Sequence, residues 1–317
     1  MQAVHLEKGA VRVVDLPRPA RREGFALLRL VCAGICNTDL ELLRGYYGFT
    51  GVAGHEFVAE VVEADTLALI GKRVVGEINV ACTRCDWCRR GLGRHCPTRT
   101  VLGIVNQPGA FEEFFVLPER NVFVVPEAIP AERAVFTEPL AAACEILDQV
   151  SIPEGAEVAV LGDGKLGLLI AHVLNRRGYR VHQFGRHPEK LCLSAAAGVA
   201  TKIAAAVAPA AAYDWVVEAT GNPDALAKAA AMTRPRGTLI LKSTVHGLVG
   251  IDLAPVIVNE LTLVGSRCGR FEASLPLLDH KEIPLERMIC ASYSLSEAPR
   301  AFAHAARRGA LKVLLYP

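Results

Sequence analysis

The sequence lacks three features that would assign it to a highly charged binder, a membrane protein or a secreted protein. Its 35 basic and 33 acidic residues nearly cancel, leaving a formal net charge of +2, which argues against nucleic acid or a membrane surface as a partner. No apolar run reaches the roughly 20 residues that a membrane span needs. The N-terminal residues lack the apolar core of a signal peptide. We therefore expect a cytoplasmic protein that binds neither nucleic acid nor membranes.

Length and cysteine content set the next limits. The chain has 317 residues, of which 51% are apolar, and this suggests about two domains with substantial cores. It also has ten cysteines. In a reducing compartment, clustered cysteines are more often metal ligands than disulfides, so the cysteine cluster described below predicts a metal site.

The pattern of apolar residues divides the chain into three regions. Residues 1–136 contain short runs rich in β-branched and aromatic residues, punctuated by glycine and proline, which predict a β-barrel or sandwich. Residues 137–266 alternate strands with helical segments, which predicts a parallel, doubly wound α/β sheet. Within it, the Ala-rich stretch 194–212 is expected to be helix and connector. Residues 267–317 predict two helices and a last strand that return to the first domain.

A glycine-rich loop follows the first predicted strand of the second region. It carries Gly162, Gly164 and Gly167 in the pattern G-x-G-x-x-G, with Lys165 and Leu166 between the last two. The first glycine permits a tight turn, the second lets backbone approach a pyrophosphate, and the third lets the helix pack closely. Because the loop also opens a helix, whose N-terminus attracts anions, it predicts a dinucleotide site that includes these five residues.

Four cysteines in a short segment predict a structural zinc site. Cys82, Cys85, Cys88 and Cys96 have the spacing C-x2-C-x2-C-x7-C, and four thiolates close a tetrahedral zinc site with no open position for substrate. A ferredoxin-type iron–sulfur motif begins in the same way, but its fourth cysteine follows after three residues rather than seven. A zinc ribbon that binds nucleic acid is a further alternative, because several arginines lie in the same segment.

Four more residues complete a resemblance to a known family. They are Cys36, His55 with Glu56 directly after it, and Glu138 in the segment "FTEPLAAACEIL". Together with the four-cysteine segment and the glycine pattern, and in this order along the chain, they resemble the medium-chain, zinc-dependent alcohol and polyol dehydrogenases. The resemblance covers essentially the whole sequence.

The resemblance implies both a fold and an activity. The fold is α/β: a GroES-like β-barrel catalytic domain of residues 1–136, to which residues 267–317 return, and a Rossmann domain of residues 137–266. The activity is hydride transfer between a nicotinamide cofactor, NAD or NADP, and a secondary alcohol, polyol or sugar, in a homodimer or homotetramer with two zinc ions per chain. The alternatives are a zinc-free reductase of the same superfamily and a non-catalytic zinc-ribbon protein on a nucleotide-binding fold.

Carried onto this sequence, the resemblance implies a catalytic zinc with protein ligands of three kinds. Cys36 supplies the thiolate, His55 the imidazole and Glu138 the third ligand, while Glu56 exchanges into the coordination sphere. The resemblance leaves open which glutamate is the resting ligand. A glutamate at position 138, where the simple alcohol dehydrogenases have cysteine, is similar to the polyol and sugar dehydrogenase branch.

The resemblance also implies roles for residues around that zinc. Asp39 matches the group that orients the zinc-bound histidine, and Thr38 matches the hydroxyl that takes the proton of an alcohol whose pKa zinc has lowered. Lys312 matches a basic position that contacts the cofactor phosphates, with an ordinary surface lysine as the alternative. Proton transfer to solvent runs either through Glu41 or through the cofactor ribose and water.

The end of the second Rossmann strand bears on the choice of cofactor. NAD sites place an acidic residue there to bind the ribose 2′-hydroxyl, but this position is Gly185, followed by Arg186 and His187. No carboxylate is expected there, so the space beside Gly185 would admit a 2′-phosphate that Arg186 binds with its planar guanidinium. The sequence therefore predicts a preference for NADP, unless Arg186 points to solvent and NAD binds without its usual partner.

Overall fold

A computed structural model describes residues 1–244, 250 and 252–317. The chain divides into two compact units. The first contains Met1–Glu138 and Leu285–Pro317, and the second contains Pro139–Pro284. Throughout the described ranges, no helix combines the length and the apolar character that crossing a membrane requires.

The first part of the first unit consists mainly of short strands, because glycine and proline interrupt its β-branched runs. Its strands and helices are β1 (Gln2–Glu7), β2 (Ala10–Asp15), β3 (Phe25–Gly34), α1 (Asn37–Leu43), β4 (Gly51–Val52), β5 (Glu56–Glu63), β6 (Arg73–Gly76), β7 (Asn79–Val80), α2 (Asp86–Arg89), β8 (Thr100–Val101), β9 (Phe114–Pro118), β10 (Val122–Val124) and α3 (Ala131–Ala134).

The second unit alternates helices and strands, as the sequence periodicity predicts. Its elements are α4 (Thr137–Gln149), which begins at the end of the first unit, β11 (Glu157–Leu161), α5 (Lys165–Arg176), β12 (Arg180–Gly185), α6 (Pro188–Ala195), β13 (Ala200–Ile203), β14 (Tyr213–Glu218), α7 (Ala225–Met232), β15 (Thr233–Leu241), α8 (Ala254–Val258), β16 (Thr262–Gly265) and α9 (Phe271–Ser274).

The C-terminal residues return to the first unit. They form β17 (Ile289–Ser294), α10 (Ala298–Ala305) and β18 (Lys312–Tyr316). Short 3₁₀ helices lie in the connections of both units, at Tyr46–Gly48, Leu67–Leu69, Gly93–His95, Glu119–Asn121, Ala204–Ala206, Leu275–Asp279, Glu286–Met288 and Leu295–Glu297.

A mostly antiparallel sheet forms the centre of the first unit. Its strand order is β10-β6-β5-β3-β18-β17, and β9 also pairs with β3. The last residue of β3, Gly34, lies opposite Glu56 of β5 on one side and opposite Leu314 of β18 on the other. Smaller sheets, β2-β1-β4 and β7-β8, complete the unit. The C-terminal strand therefore lies beside the end of β3, where α1 begins.

A parallel sheet forms the second unit, with strand order β13-β12-β11-β14-β15-β16. This is the order of a doubly wound Rossmann sheet, in which ligands bind where the order reverses, at the carboxyl ends of the two central strands. Here those strands are β11 and β14. A buried apolar cluster joins this sheet to α7, with members that include Ala159, Val216, Leu239, Ala229 and Met232.

Two local predictions in the second unit differ from the structure. The Ala-rich stretch 194–212 contains the strand β13, which pairs with β12 through residues such as Thr201 and Lys202. Alanine disfavours strands, so pairing with a neighbouring strand decides this element. The sequence pattern of residues 223–237 predicts one continuous helix, but α7 ends at Met232, because Pro235 cannot continue a helix and the chain already enters β15 at Thr233.

The tail also returns to the first unit later than the sequence suggests. Residues 267–284 belong to the second unit, because they pack on α4. The Gly269 backbone lies so close to Ala141 that a Cβ atom would come within 1.7 Å of the Ala141 oxygen. Arg270 binds the carboxylate of Asp148, and the Cys144 thiol contacts the Ala273 carbonyl. The first unit resumes only at Leu285.

Candidate functional site

The start of α1 places three polar groups beside the end of β3. Cys36 is the N-cap of this helix, and its backbone N–H donates to Oδ2 of Asp39 at 2.8 Å. This is a capping box, in which a side chain in the first turn satisfies a backbone donor that the helix leaves free. The Thr38 hydroxyl lies 3.7 Å from the Cys36 sulfur. The local fold thus fixes Cys36, Thr38 and Asp39 in one turn.

His55 enters the same site from the loop before β5. Its Nδ1 lies 3.3 Å from Oδ1 of Asp39, and both side chains are almost completely buried. Burial lowers the pKa of His55, but the Asp39 carboxylate and the Cys36 thiol outweigh burial and raise the pKa well above its usual value. Asp39 therefore lies beside Nδ1 of His55 as an electrostatic partner without hydrogen-bond geometry, in the place that the carboxylate takes in carboxylate–histidine–metal arrangements.

Three side chains converge as a set of metal donors. The ligand atoms of Cys36, His55 and Glu56 all lie within 4.8 Å of one another. A thiolate, an imidazole and a carboxylate are the three ligand types that zinc accepts in proteins. The donor set therefore fits a zinc ion, and Asp39 supplies the orienting contact that such a histidine needs.

Glu138 is not a member of that donor group, which contains Glu56 instead. Glu138 still lies close enough to interact electrostatically with two members of that group, His55 and Glu56. Burial raises the pKa of Glu138 to about 7, His55 lowers it and Glu56 raises it. The structure thus brings both predicted glutamates to one region but places only Glu56 within the close group.

The ammonium of Lys312 forms an ion pair with Oε2 of Glu56, and both side chains are about 1% exposed. The buried position corrects the expectation of a surface lysine, while a contact between Lys312 and the cofactor phosphates stays a prediction. Gly34 makes room for the pair, since a Cβ atom there would come within 2.7 Å of Glu56 Oε2 and 3.0 Å of Lys312 Cδ. The position needs glycine for space, a requirement that the sequence analysis missed because no local motif marks it.

The four-cysteine segment forms a compact thiol cluster. Neighbouring sulfur atoms lie 3.5 to 3.9 Å apart, as measured for Cys85–Cys88, Cys85–Cys96 and Cys82–Cys88. A tetrahedral zinc site with Zn–S bonds of about 2.3 Å requires sulfur atoms about 3.8 Å apart. The predicted cysteines therefore meet in the geometry of a closed zinc site.

The pKa values of the cysteine thiols in this cluster are also consistent with the binding of a cation. Backbone N–H groups of Arg84 and Cys85 lower the pKa of Cys82 to about 5. Burial, together with the neighbouring thiols, raises the pKa of Cys88 to about 12. Such thiols share protons when no metal is bound, and a metal ion replaces those protons as it binds the thiolates.

The glycine-rich loop joins β11 to α5 in the second unit. Gly162 has φ +124°, and a Cβ atom there would come within 2.4 Å of the Ala219 carbonyl oxygen after β14. A Cβ atom at Gly167 would come within 2.5 Å of the Gly162 carbonyl oxygen. Gly164, the N-cap of α5, faces open space. Two glycines are thus needed for packing, while the third leaves room for a ligand. Lys165 and Leu166 form the first turn of α5.

The end of β12 differs from the sequence prediction in one respect. The space beside Gly185 is filled by the side chain of Asp163, whose Cβ and Oδ2 atoms would each lie 2.6 Å from a Cβ at Gly185. Asp163 Oδ2 accepts hydrogen bonds from the backbone N–H groups of Arg186 and His187, each at 2.6 Å. The expectation of an empty space without a carboxylate is therefore wrong. The sequence does contain a signal for this carboxylate, because Asp163 is the acidic residue between Gly162 and Gly164 in the G-D-G turn.

Both units match known domain families. Residues 22–127 match the family described as the alcohol dehydrogenase GroES-like domain, and residues 166–280 match the family described as zinc-binding dehydrogenase. The first match lies within the first unit and the second match within the second. These matches confirm the predicted combination of a GroES-like domain and a Rossmann domain.

Three similar proteins span nearly the whole chain. The erythritol/L-threitol dehydrogenase of Mycolicibacterium smegmatis is 28% identical, over 96% of this chain and 94% of its own length. The structure of the alcohol dehydrogenase from Thermus sp. ATN1 is 31% identical, with a TM-score of 0.90 and complete coverage of both chains. A structure from Sinorhizobium meliloti 1021 bound to NADP is 28% identical, with a TM-score of 0.89, and the match covers 100% of this chain and 99% of that one.

Proposed function

Because the chain belongs to the medium-chain, zinc-dependent alcohol and polyol dehydrogenases, we propose that it oxidises a secondary hydroxyl and transfers hydride to a nicotinamide cofactor. The convergence of Cys36, His55 and Glu56 within 4.8 Å of one another carries this proposal. A zinc-free reductase of the same superfamily has no use for such a donor set. The chain is thus an enzyme, and its proposed substrate is an alcohol, polyol or sugar.

The chain's own residues position the reacting groups around the donor set. Zinc bound there would act as a Lewis acid that lowers the pKa of an alcohol. Asp39 lies 3.3 Å from Nδ1 of His55 and would help to orient that ring toward a bound zinc ion. The Thr38 hydroxyl, 3.7 Å from the Cys36 sulfur, is placed to take the substrate proton.

Two carboxylates are available as the third ligand. Glu56 is close to Cys36 and His55, but its Oε2 binds Lys312. Glu138 has no hydrogen bond or ion pair to any described residue, and burial raises its pKa to about 7. A cation would stabilise its ionised form. We therefore infer that Glu138 would serve as the third ligand of a zinc ion held by Cys36 and His55, and that Glu56, which is paired with Lys312, would be the alternative carboxylate.

The four-cysteine segment and the glycine-rich loop have separate proposed roles. Cys82, Cys85, Cys88 and Cys96 hold a structural zinc, because four thiolates leave no coordination position for a substrate. The loop of Gly162, Gly164 and Gly167 binds the cofactor pyrophosphate at the start of α5. The name of the Mycolicibacterium relative supports a polyol as the substrate class.

Metal analysis of two cysteine variants tests the proposal. We expect about two zinc ions per chain in the wild type and about one in each variant. Cys36→Ser should lose turnover and keep its thermal stability, whereas Cys85→Ser should lose stability because it opens a closed site that contributes folding energy. Turnover is measured over a panel of alcohols, polyols and sugars with both cofactors.

Zinc content and turnover together distinguish the proposed dehydrogenase from a zinc-free reductase and from a zinc-ribbon binding protein. Full turnover in Cys36→Ser would contradict the catalytic assignment and favour the zinc-free reductase. A wild type that binds one zinc ion and oxidises nothing in the panel would favour a zinc-ribbon binding protein. Loss of turnover with one zinc ion retained supports the proposed dehydrogenase.

A further inference from the structure

Asp163 occupies the place that belongs to another residue in NAD-binding sites. Such sites carry an acidic residue at the end of the second Rossmann strand, which binds the ribose 2′-hydroxyl. Here that strand, β12, ends at Gly185. The side chain of Asp163, from the glycine-rich loop, fills the volume where a side chain at position 185 would begin, with its Cβ, Cγ and Oδ2 atoms at 2.6 to 2.8 Å. A carboxylate is therefore present in this volume, although it comes from a different position.

The hydrogen bonds of Asp163 leave one oxygen for a ligand. Oδ2 accepts from the backbone N–H groups of Arg186 and His187, and it lies 3.0 Å from Nδ1 of His187. Oδ1 makes no hydrogen bond to any described residue. The side chain is about 9% exposed, so its position is fixed by the loop around it. A fixed carboxylate with one free oxygen is an acceptor suited to a sugar hydroxyl.

The same contacts disfavour a phosphate in that place. The backbone N–H groups of Arg186 and His187 would be natural donors to a 2′-phosphate, but both already donate to Asp163. Burial raises the pKa of Asp163, yet these hydrogen bonds outweigh burial and leave the pKa below its usual value. The carboxylate therefore stays ionised at neutral pH and repels a second anion.

Arg186 does not reverse this balance. Its side chain is exposed, where solvent and salt screen its attraction for a phosphate. Asp163 is almost completely buried, and a charge there is screened much less. At the place of the ribose 2′ group, the Asp163 carboxylate is therefore nearer and less screened than the Arg186 guanidinium.

We propose that Asp163 is the specificity-determining acid of the cofactor site, binding the adenosine ribose 2′-hydroxyl through Oδ1 and favouring NAD over NADP. This inference rests on the proposed dehydrogenase function and reverses the preference expected from the sequence. The sequence lacks the acid at Gly185, and the fold restores a carboxylate there from the neighbouring loop.

Binding measurements on the purified protein test the inference without depending on turnover. Titration calorimetry gives the Kd for NADH and for NADPH. The wild type should bind NADH at least about tenfold more tightly. Asp163→Asn keeps the shape and an acceptor for the two backbone N–H groups but removes the charge, so it should lower this ratio at least about tenfold. Asp214→Asn is the matched control and should leave the ratio unchanged. Asp214 lies at the amino end of β14, away from the carboxyl ends where the ligand binds, and forms an exposed ion pair with Arg234.

A relocation experiment covers the case in which Asp163→Asn is poorly folded. Gly185→Asp alone should lower both the melting temperature and NADH affinity, because its side chain would overlap Asp163. Combining Gly185→Asp with Asp163→Gly should recover both, since the carboxylate then comes from the strand end.

Each result decides a different claim. Tighter binding of NADPH by the wild type, or an unchanged ratio in Asp163→Asn, overturns the inference and leaves the proposed function standing. A double variant that is no better than Gly185→Asp alone also overturns the inference. Binding of neither nucleotide overturns the proposed function as well.

Discussion

Lys312 and Glu56 form a fully buried ion pair at the edge of the metal-donor group. Removing two charges from water is costly, and their attraction offsets that cost only while both partners are present. The aromatic ring of Phe136 lies 5.5 Å from the Lys312 ammonium and adds a favourable contact with its face. A single residue of the last strand, Lys312, thus supplies the buried positive charge that faces Glu56.

Replacing Lys312 with methionine should destabilise the protein strongly. The substitution leaves the Glu56 carboxylate buried without its partner, which costs about 3–5 kcal/mol in comparable buried pairs. Arg29→Met is the control, because Arg29 of β3 and Glu60 of β5 form an exposed pair, worth at most about 1 kcal/mol. Urea unfolding measures both. Equal losses of unfolding free energy in the two variants would show that the buried pair contributes no more to stability than the exposed pair does.

The turn between β11 and α5 shows how one short element divides its glycines between packing and binding. Gly162 and Gly167 approach backbone atoms of other residues too closely for any side chain, whereas Gly164 faces open space. The helix that follows is amphipathic and packs through Leu168, Leu169 and neighbouring residues that are fully buried. The element therefore folds for reasons that are independent of its ligand.

Two alanine substitutions in this turn should have opposite consequences. Gly167→Ala places a methyl group 2.5 Å from the Gly162 carbonyl oxygen, so it should lower the melting temperature by several degrees, equivalent to about 1–3 kcal/mol. Gly164→Ala should leave the melting temperature nearly unchanged and weaken NADH binding at least tenfold, because the methyl group enters the space for the pyrophosphate. Differential scanning fluorimetry and calorimetric titration distinguish them. If Gly164→Ala binds NADH normally, the pyrophosphate does not approach this residue.

For the molecule as a whole, stability should depend on pH through a buried carboxyl group outside the metal-donor cluster. Glu112 lies in the first unit, where its backbone pairs with Ala3, and its side chain is about 4% exposed. Burial raises the pKa of Glu112 from its usual value of 4.5 to about 8. Between those pH values the folded protein holds a proton that the unfolded chain has released, so this group makes stability fall as the pH rises.

Glu112→Gln should remove this pH dependence. The variant and the wild type should be similarly stable at pH 5, and the variant should be the more stable by pH 9, because the glutamine has no charge to bury. The difference grows by at most about 1.4 kcal/mol per pH unit within the window from 4.5 to 8. Thermal unfolding over this pH range measures it, with the exposed Glu127→Gln as the control. A difference that is constant with pH would contradict a raised pKa at Glu112.

Features that depend on local spacing could be predicted from the sequence. The four cysteines from Cys82 to Cys96 are so near one another that their spacing alone brings the thiols together. The glycine pattern lies in one turn, and its position after a strand predicts the dinucleotide loop. Cys36 and Asp39 are likewise held by one helical turn. In each case few backbone torsions separate the partners, so the sequence determines their contact.

Features that depend on distant pairing were decided only by the tertiary structure. β13 is a strand because it pairs with β12, although its composition favours helix and connector. Lys312 meets Glu56 because the C-terminal strand inserts beside β3. Asp163 reaches the space beside Gly185 because parallel pairing aligns the ends of β11 and β12. The sequence by itself determined the family, the four-cysteine cluster and the glycine loop. The fold alone decided which charges share a buried volume, because that depends on strand register between residues far apart in the chain.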